Sequence, residues 1–331
     1  MSWRVPEANE PRNILGSQAL GNKDDSAGHN SVVGWLKSLV NTGMVTGQPW
    51  FVDSVGGLAT YDGKAWTQAK ATIATAVALA SAGDTIFLKG SFSEAVTSSL
   101  ARLRFIGLGD GPQATQWTAA NDEVCLTINA TQNFVSNIKF SVPAYTSGIP
   151  AAIKLLSASY GIIDKCLFQG KTASRQAIYS AAATADSDNF TVRGCKFKNL
   201  NTATHGAGIW LLNTSAVYNY GSWSILDNVF ESCVTGIKGA FRFSLVKGNS
   251  ISNYGLKAGG TDPEVVLALG IDLSGAAPAG TGGNVVTGNT LGGAYTSTLY
   301  KVGATGDIWR GNYVEETATT APYGLSLRNP A

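Results

Sequence analysis

The sequence predicts an all-β solenoid, a coil of stacked parallel strands. Two observations carry this. The first is a phrase that comes three times between Trp223 and Leu291: WSILDNVF, FSLVKGNSI and NVVTGNTL. The second is a separate column of apolar residues, Ile153, Ile178, Ile209, Ile237, Ile271 and Leu299, once per repeat and in phase with the first. Self-similarity at a period of 20–50 residues is the mark of a repeat architecture.

Each position of the phrase has its own chemistry. Its last residue is Phe140, Phe168, Phe197, Phe230, Ile251, Leu291 or Val314, at spacings of 28, 29, 33, 21, 40 and 23 residues. Five residues earlier stand Val135, Ile163, Val192, Ile225, Val246, Val286 and Trp309, apolar and mostly β-branched, as a buried strand prefers. Three before the end, Gly194, Gly248, Gly288 and Gly311 permit the positive φ of a sharp bend. The next residue runs Ile138, Cys166, Cys195, Asn228, Asn249, Asn289, Asn312. Four Asn at one repeat position predict a ladder, because each carboxamide carries donors and acceptors that stacked copies satisfy in one another. Such a ladder needs parallel strands about 4.8 Å apart. Cys166 and Cys195 are expected to continue it as small apolar fillers.

The repeat resembles the right-handed parallel β-helix proteins of the pectin-lyase-like type, which include polysaccharide lyases, hydrolases and many bacteriophage tailspikes. The resemblance covers roughly residues 50–317 and implies a single-stranded right-handed parallel β-helix of about ten turns. It speaks to fold more than to function, since one scaffold carries many activities.

Before the repeats, residues 1–30 are polar and rich in Gly, Asn and Asp, an extended arm. In Ser31–Gly43, Val32, Trp35, Leu36 and Leu39 fall on one helical face. That face needs a partner: the end of the coil, or its own symmetry mates in a three-helix cluster. GNKDDSAGHNSVVGWLKSL resembles the virion-proximal segment of phage fibre and spike proteins, which implies attachment to other virion proteins through residues 1–46 and a homotrimer. The chain thus divides into an arm with a helix (1–46), the β-helix (47–317) and a tail (318–331). The large C-terminal trimerisation domain common in tailspikes has no counterpart in that tail.

From Trp50 the chain resembles the entry segment of many β-helices. A first strand at Trp50–Asp53 and a Gly-rich loop are followed by a helix from about Gln68 to Ala82, capped by Thr67, then a strand at Thr85–Leu88. Ile73, Ala76, Val77 and Ala80 form the helix's apolar stripe, expected to cover the open end of the coil. Leu103–Thr118 holds Gly107, Gly109 and Gly111, but Pro112 and the strand-like Thr115–Trp117 make it an early coil turn and not a phosphate loop. The longest insertion, Ser252–Gly270, reads as a loop off one edge of the coil.

Composition narrows the function. Charged residues are 14%, Gly number 39, and the formal net charge is +2. Nothing here argues for nucleic acid or an anionic membrane as partner. No apolar run has the length of a membrane span, and the first residues lack the apolar core of a signal peptide. With two His and four Cys without a CxxC pair, no metal site or cofactor is expected. Cys166 and Cys195 would be stacked neighbours, which leaves a disulfide or, more simply, a pair of reduced core thiols.

Lys154, Tyr179, Trp210, Lys238, Asp272 and Tyr300 each follow the second column's apolar position. They are expected to form an outward stripe at rung spacing. Aromatics with polar neighbours suit a subunit seam or the flat face of a sugar ring. Catalysis by a glycosidase would need two carboxyls roughly 5–10 Å apart. The candidates are Asp164, Asp227, Glu231, Asp272 and Asp307, and no pairing among them stands out, so no catalytic residue is assigned. The resemblance of the arm and the repeats implies a phage surface spike or fibre, displayed on the virion and expected to bind host polysaccharide. A depolymerase with a site between subunits is the alternative.

Overall fold

A computed structural model describes residues 47–144, 151–170, 174, 176–182, 187–200, 206–213, 220–253, 269–273, 282–293, 300–301, 306–315 and 325–327. The expected arm and helix, with Val32, Trp35, Leu36 and Leu39, lie outside these residues, as does Leu299.

The chain winds as a right-handed parallel β-helix with three sheets. The first runs from Pro49–Asp53 to Ile308–Arg310, each strand pairing in parallel with its equivalent one repeat later. The second carries the ends of the repeated phrase. Phe140 pairs with Phe168, Phe168 with Phe197, Phe197 with Phe230, Phe230 with Ile251, Ile251 with Leu291 and Leu291 with Val314. The third, of eight strands, stacks Ile153, Ile178, Ile209, Ile237 and Ile271. All three sheets turn their apolar columns into one interior. There the rings of Trp117, Phe140, Phe168, Phe197 and Phe230 stack at 5.6, 5.3, 4.9 and 4.5 Å between centroids. Each of these Phe is fully buried, a contribution of roughly 1.5–3 kcal/mol apiece.

Between the first and second sheets the corner is two residues on the seven rungs from Asn137 onward. Its first residue is left-handed on seven rungs: Asn137, Lys165, Gly194, Asp227, Gly248, Gly288 and Gly311, with φ between 51° and 69°. Its second forms the Asn ladder. Asn228 Nδ2 donates to Asn249 Oδ1 (3.0 Å), Asn249 Nδ2 to Asn289 Oδ1 (2.9 Å) and Asn289 Nδ2 to Asn312 Oδ1 (2.9 Å). Every Oδ1 also accepts a backbone N–H from the rung before, and every Nδ2 also donates to a strand carbonyl.

The two cysteines below the ladder continue it as buried residues of the interior, as expected, and they also bond along it. Cys195 Sγ accepts from the Cys166 N–H at 3.4 Å and points its own hydrogen at the Arg193 carbonyl, 3.3 Å away. The thiol thus does weakly what the carboxamide does strongly, because it too is both donor and acceptor. All four cysteines are free and buried. Burial first, and then the neighbouring Cys166, hold the Cys195 thiol well above the usual range, so it stays protonated.

A second left-handed corner precedes the first sheet and was not anticipated. It runs Arg102, Gln132, Tyr160, Asn189, Ser222, Phe243, Gly283 and Gly306. Behind it a mixed polar column recurs: Trp223 N–H donates to Ser244 Oγ, Ser244 N–H to Asn284 Oδ1, and Asn284 Nδ2 to Asp307 Oδ1. Mixed residue types hid this column, where four identical Asn revealed the other.

The ends of the coil differ in detail from expectation. A 3₁₀ turn occupies Trp66–Gln68, Lys70 bridges to Val52, and the helix is shorter than predicted, Ile73–Leu79. Its cap is Thr72, whose Oγ1 accepts from Thr75 N–H, and not Thr67. Glu94, twenty residues on, takes the Ile73 and Ala74 N–H groups at 2.8 and 3.0 Å. Ile73 and Ala76 are buried, and Val77 and Ala80 pack against the interior, as the stripe predicted. At the other end Leu325–Leu327 of the tail pairs antiparallel with Tyr313–Glu315 and so covers part of the last second-sheet strand.

Candidate functional site

From Asn137 onward the corner between the first two sheets has constant length, so those repeats differ in length where the chain enters or leaves the third sheet. Variation beside a rigid scaffold is where binding groups are usually placed. The predicted stripe lies on this sheet. Lys154 pairs in register with Tyr179, Tyr179 with Trp210, Trp210 with Lys238 and Lys238 with Asp272. Tyr179 and Trp210 are absent from the interior cluster that holds Ile178 and Ile209, so the stripe faces away from the core.

The stripe is held by its own contacts. Lys238 Nζ sits 5.0 Å from the Trp210 ring centroid, a cation–π geometry worth about 0.5–1 kcal/mol at exposed sites. Trp210 meets Tyr179 edge-on at 6.1 Å and 79°. Three departures from the predicted stripe follow from packing and register. Tyr179 is only 2% exposed and Asp272 5%, so both are sheltered and not open surface; burial pushes the Tyr179 phenol above its ordinary pKa. Tyr300 pairs with Ile271, and Lys301 takes the place opposite Asp272. The register therefore puts Tyr300 in the apolar column and not in the stripe.

One residue was missed. Gln176 lies on the same strand as Tyr179, between Ala151 and Ala207 on the flanking rungs. It is fully buried, yet neither its Oε1 nor its Nε2 has a hydrogen-bond partner among the described residues. An unsatisfied buried carboxamide costs free energy unless something pairs with it. A single Gln at a repeat position otherwise taken by Ala151, Ala207, Thr235 and Leu269 was the sequence signal.

The candidate carboxylates are not gathered. Asp164 is paired with Arg193 Nε at 2.9 Å. Glu231 is gripped by Lys196 and Lys198 at 2.5 and 3.1 Å. Partial burial pushes the Glu231 carboxyl up, but the two lysines outweigh this and hold it below the usual range. Asp227 takes the left-handed corner with φ 54°, as its turn reading implied, and leans over Gly248, where an added Cβ would lie 2.1 Å from its Oδ1. Asp307 closes the second polar column. Among the described residues no cluster of three or more His, Cys, Asp or Glu is placed to hold a metal.

No family model matches the sequence, and no curated protein matches it. Solved structures do. A selenomethionine derivative of the GH136 lacto-N-biosidase from Eubacterium ramulus aligns with a TM-score of 0.62 and 12% identity, over 85% of this chain and 58% of that one. The native form gives 0.57 and 14% over the same shares. A pectin methylesterase from Aspergillus niger gives 0.48 and 14%, over 82% of this chain and 87% of that one. The chain spans just over half the length of the lacto-N-biosidase. At such identities the likeness speaks to architecture alone: this chain has a parallel β-helix fold.

Proposed function

We propose that the chain is a surface spike or fibre of a bacteriophage particle, homotrimeric, anchored through residues 1–46, that holds a host glycan on the outer face of its third sheet. The observation that carries the binding part is the in-register set Tyr179, Trp210 and Lys238, an indole held by an edge-to-face contact with Tyr179 and by the Lys238 ammonium. A pre-organised aromatic face with polar neighbours suits a sugar, whose C–H face is apolar and whose rim is hydroxylated. The virion part rests on the arm sequence and its fibre-like pattern.

Trp210→Ala tests this. The variant is expected to stay assembled, by mass in solution, and to lose adsorption to host cells by tenfold or more. Loss of subunits instead would assign Trp210 to a seam between copies. Full assembly with full adsorption would remove the stripe from function altogether.

One observation favours cleavage as a second reading: Asp272 places a carboxyl group at the end of the stripe, and glycosidases work with a pair of such groups. Its partner carboxyl would come from another subunit. Release of reducing ends from host polysaccharide, abolished in Asp272→Asn, is the result that reading requires.

A further inference from the structure

The second left-handed corner carries two residues that do not belong in one. Phe243 has φ 49° and Tyr160 has φ 61°, where other rungs of the same corner use Arg, Gln, Asn, Ser or Gly. Left-handed backbone disfavours side chains other than Gly, Asn and Asp, and a bulky ring there is an outlier. Neither ring repays that by burial, for Phe243 is 62% exposed and Tyr160 59%. Strain held at an exposed aromatic is a reason to look for function.

The two rings belong to one line. The rungs between them present Asn189 and Ser222, both exposed, at the same corner position. Three rungs separate Tyr160 from Phe243, about 14 Å at the usual strand spacing. Phe243 is fixed in place: its ring lies over Gly283 of the next rung, where an added Cβ would come within 2.8 Å, and the Arg242 guanidinium sits 4.8 Å from its centroid. The Arg242 Nε is buried and lacks a hydrogen-bond partner among the described residues. The acidic group in the same corner, Asp188, is engaged by the Gly221 N–H at 2.6 Å.

We infer that this corner, Tyr160–Asn189–Ser222–Phe243 with Arg242, is a second binding track, for an extended glycan chain bearing an anionic substituent. Two aromatic platforms divided by amide and hydroxyl groups match a chain of rings with apolar faces and hydroxylated rims. An interface between copies would want contiguous apolar surface instead. Arg242 supplies the charge, a planar donor fork held beside the Phe243 ring. The track is a different surface from the third-sheet stripe and does not depend on it.

The test is binding of the full-length protein to a panel of carboxylated oligosaccharides of four or more sugars and to their carboxyl-reduced forms. The charged members should bind more tightly than the reduced ones. Phe243→Asn and Tyr160→Asn, which suit the left-handed backbone, should each weaken binding about fivefold or more, and Arg242→Gln should erase the preference for charge. Melting temperatures of the two Asn variants should hold or rise, since strain is relieved. Equal binding of charged and reduced glycans, unchanged binding in the Asn variants, or a change in their assembled mass would each overturn the inference, the last by assigning the corner to a contact between copies.

Discussion

Asn249 serves three rungs at once. It accepts from Asn228 on one side, donates to Asn289 on the other, and ties both to the Ile225 carbonyl. Asn249→Leu would leave the Asn228 N–H without an acceptor in a site closed to water, at a cost of about 1–3 kcal/mol. Thermal melting should show a drop of several degrees; an unchanged midpoint would mean the corner is wet and the ladder incidental. This column was legible because one residue type recurs at one place. The second corner was not, because Phe190, Trp223, Ser244, Asn284 and Asp307 fill it with rings, a hydroxyl, an amide and a carboxylate. Their shared role appears only when the rungs are stacked. For the same reason the outward direction of Tyr179 was readable from strand alternation, whereas its burial and the solitary Gln176 were not.

At the scale of elements, the first helix shows where local signals give way to distant ones. Its apolar stripe was readable at i, i+3, i+4 and i+7, and those residues do meet the core. Its start was not, since the stronger cap comes from Glu94, beyond a whole strand. Ala69 and Lys70 are drawn instead into pairing with the first strand and its loop, which removes the predicted first turn. Glu94→Ala should therefore cost more than Thr72→Ala, about 1–2 kcal/mol against 1 or less, because it uncaps two N–H groups and leaves them near the open end of the coil. Hydrogen exchange at Ile73 and Ala74 reads it directly. Equal protection in wild type and Glu94→Ala would show that the helix is held by its apolar face alone.

Across the whole molecule, the coil has more outward apolar surface than a lone solenoid needs. Ile308 and Tyr313 stand 51% and 44% exposed on its last described rungs, and Leu226, Leu245 and Val285 are half-buried along the outer face of the first sheet. Exposed apolar surface rimmed by charge, here Arg193, Lys247 and Arg310, marks association more often than it marks chance. The predicted arm and helix at residues 1–46 give a second, independent reason to expect three copies. These two sources separate by truncation. The full chain is expected to have the solution mass of a trimer. A chain beginning at Gly47 becomes a monomer if the arm and helix carry assembly, and stays a trimer if the flank of the coil does. A monomeric full-length chain would remove the trimer, and with it any site that needs residues from two subunits.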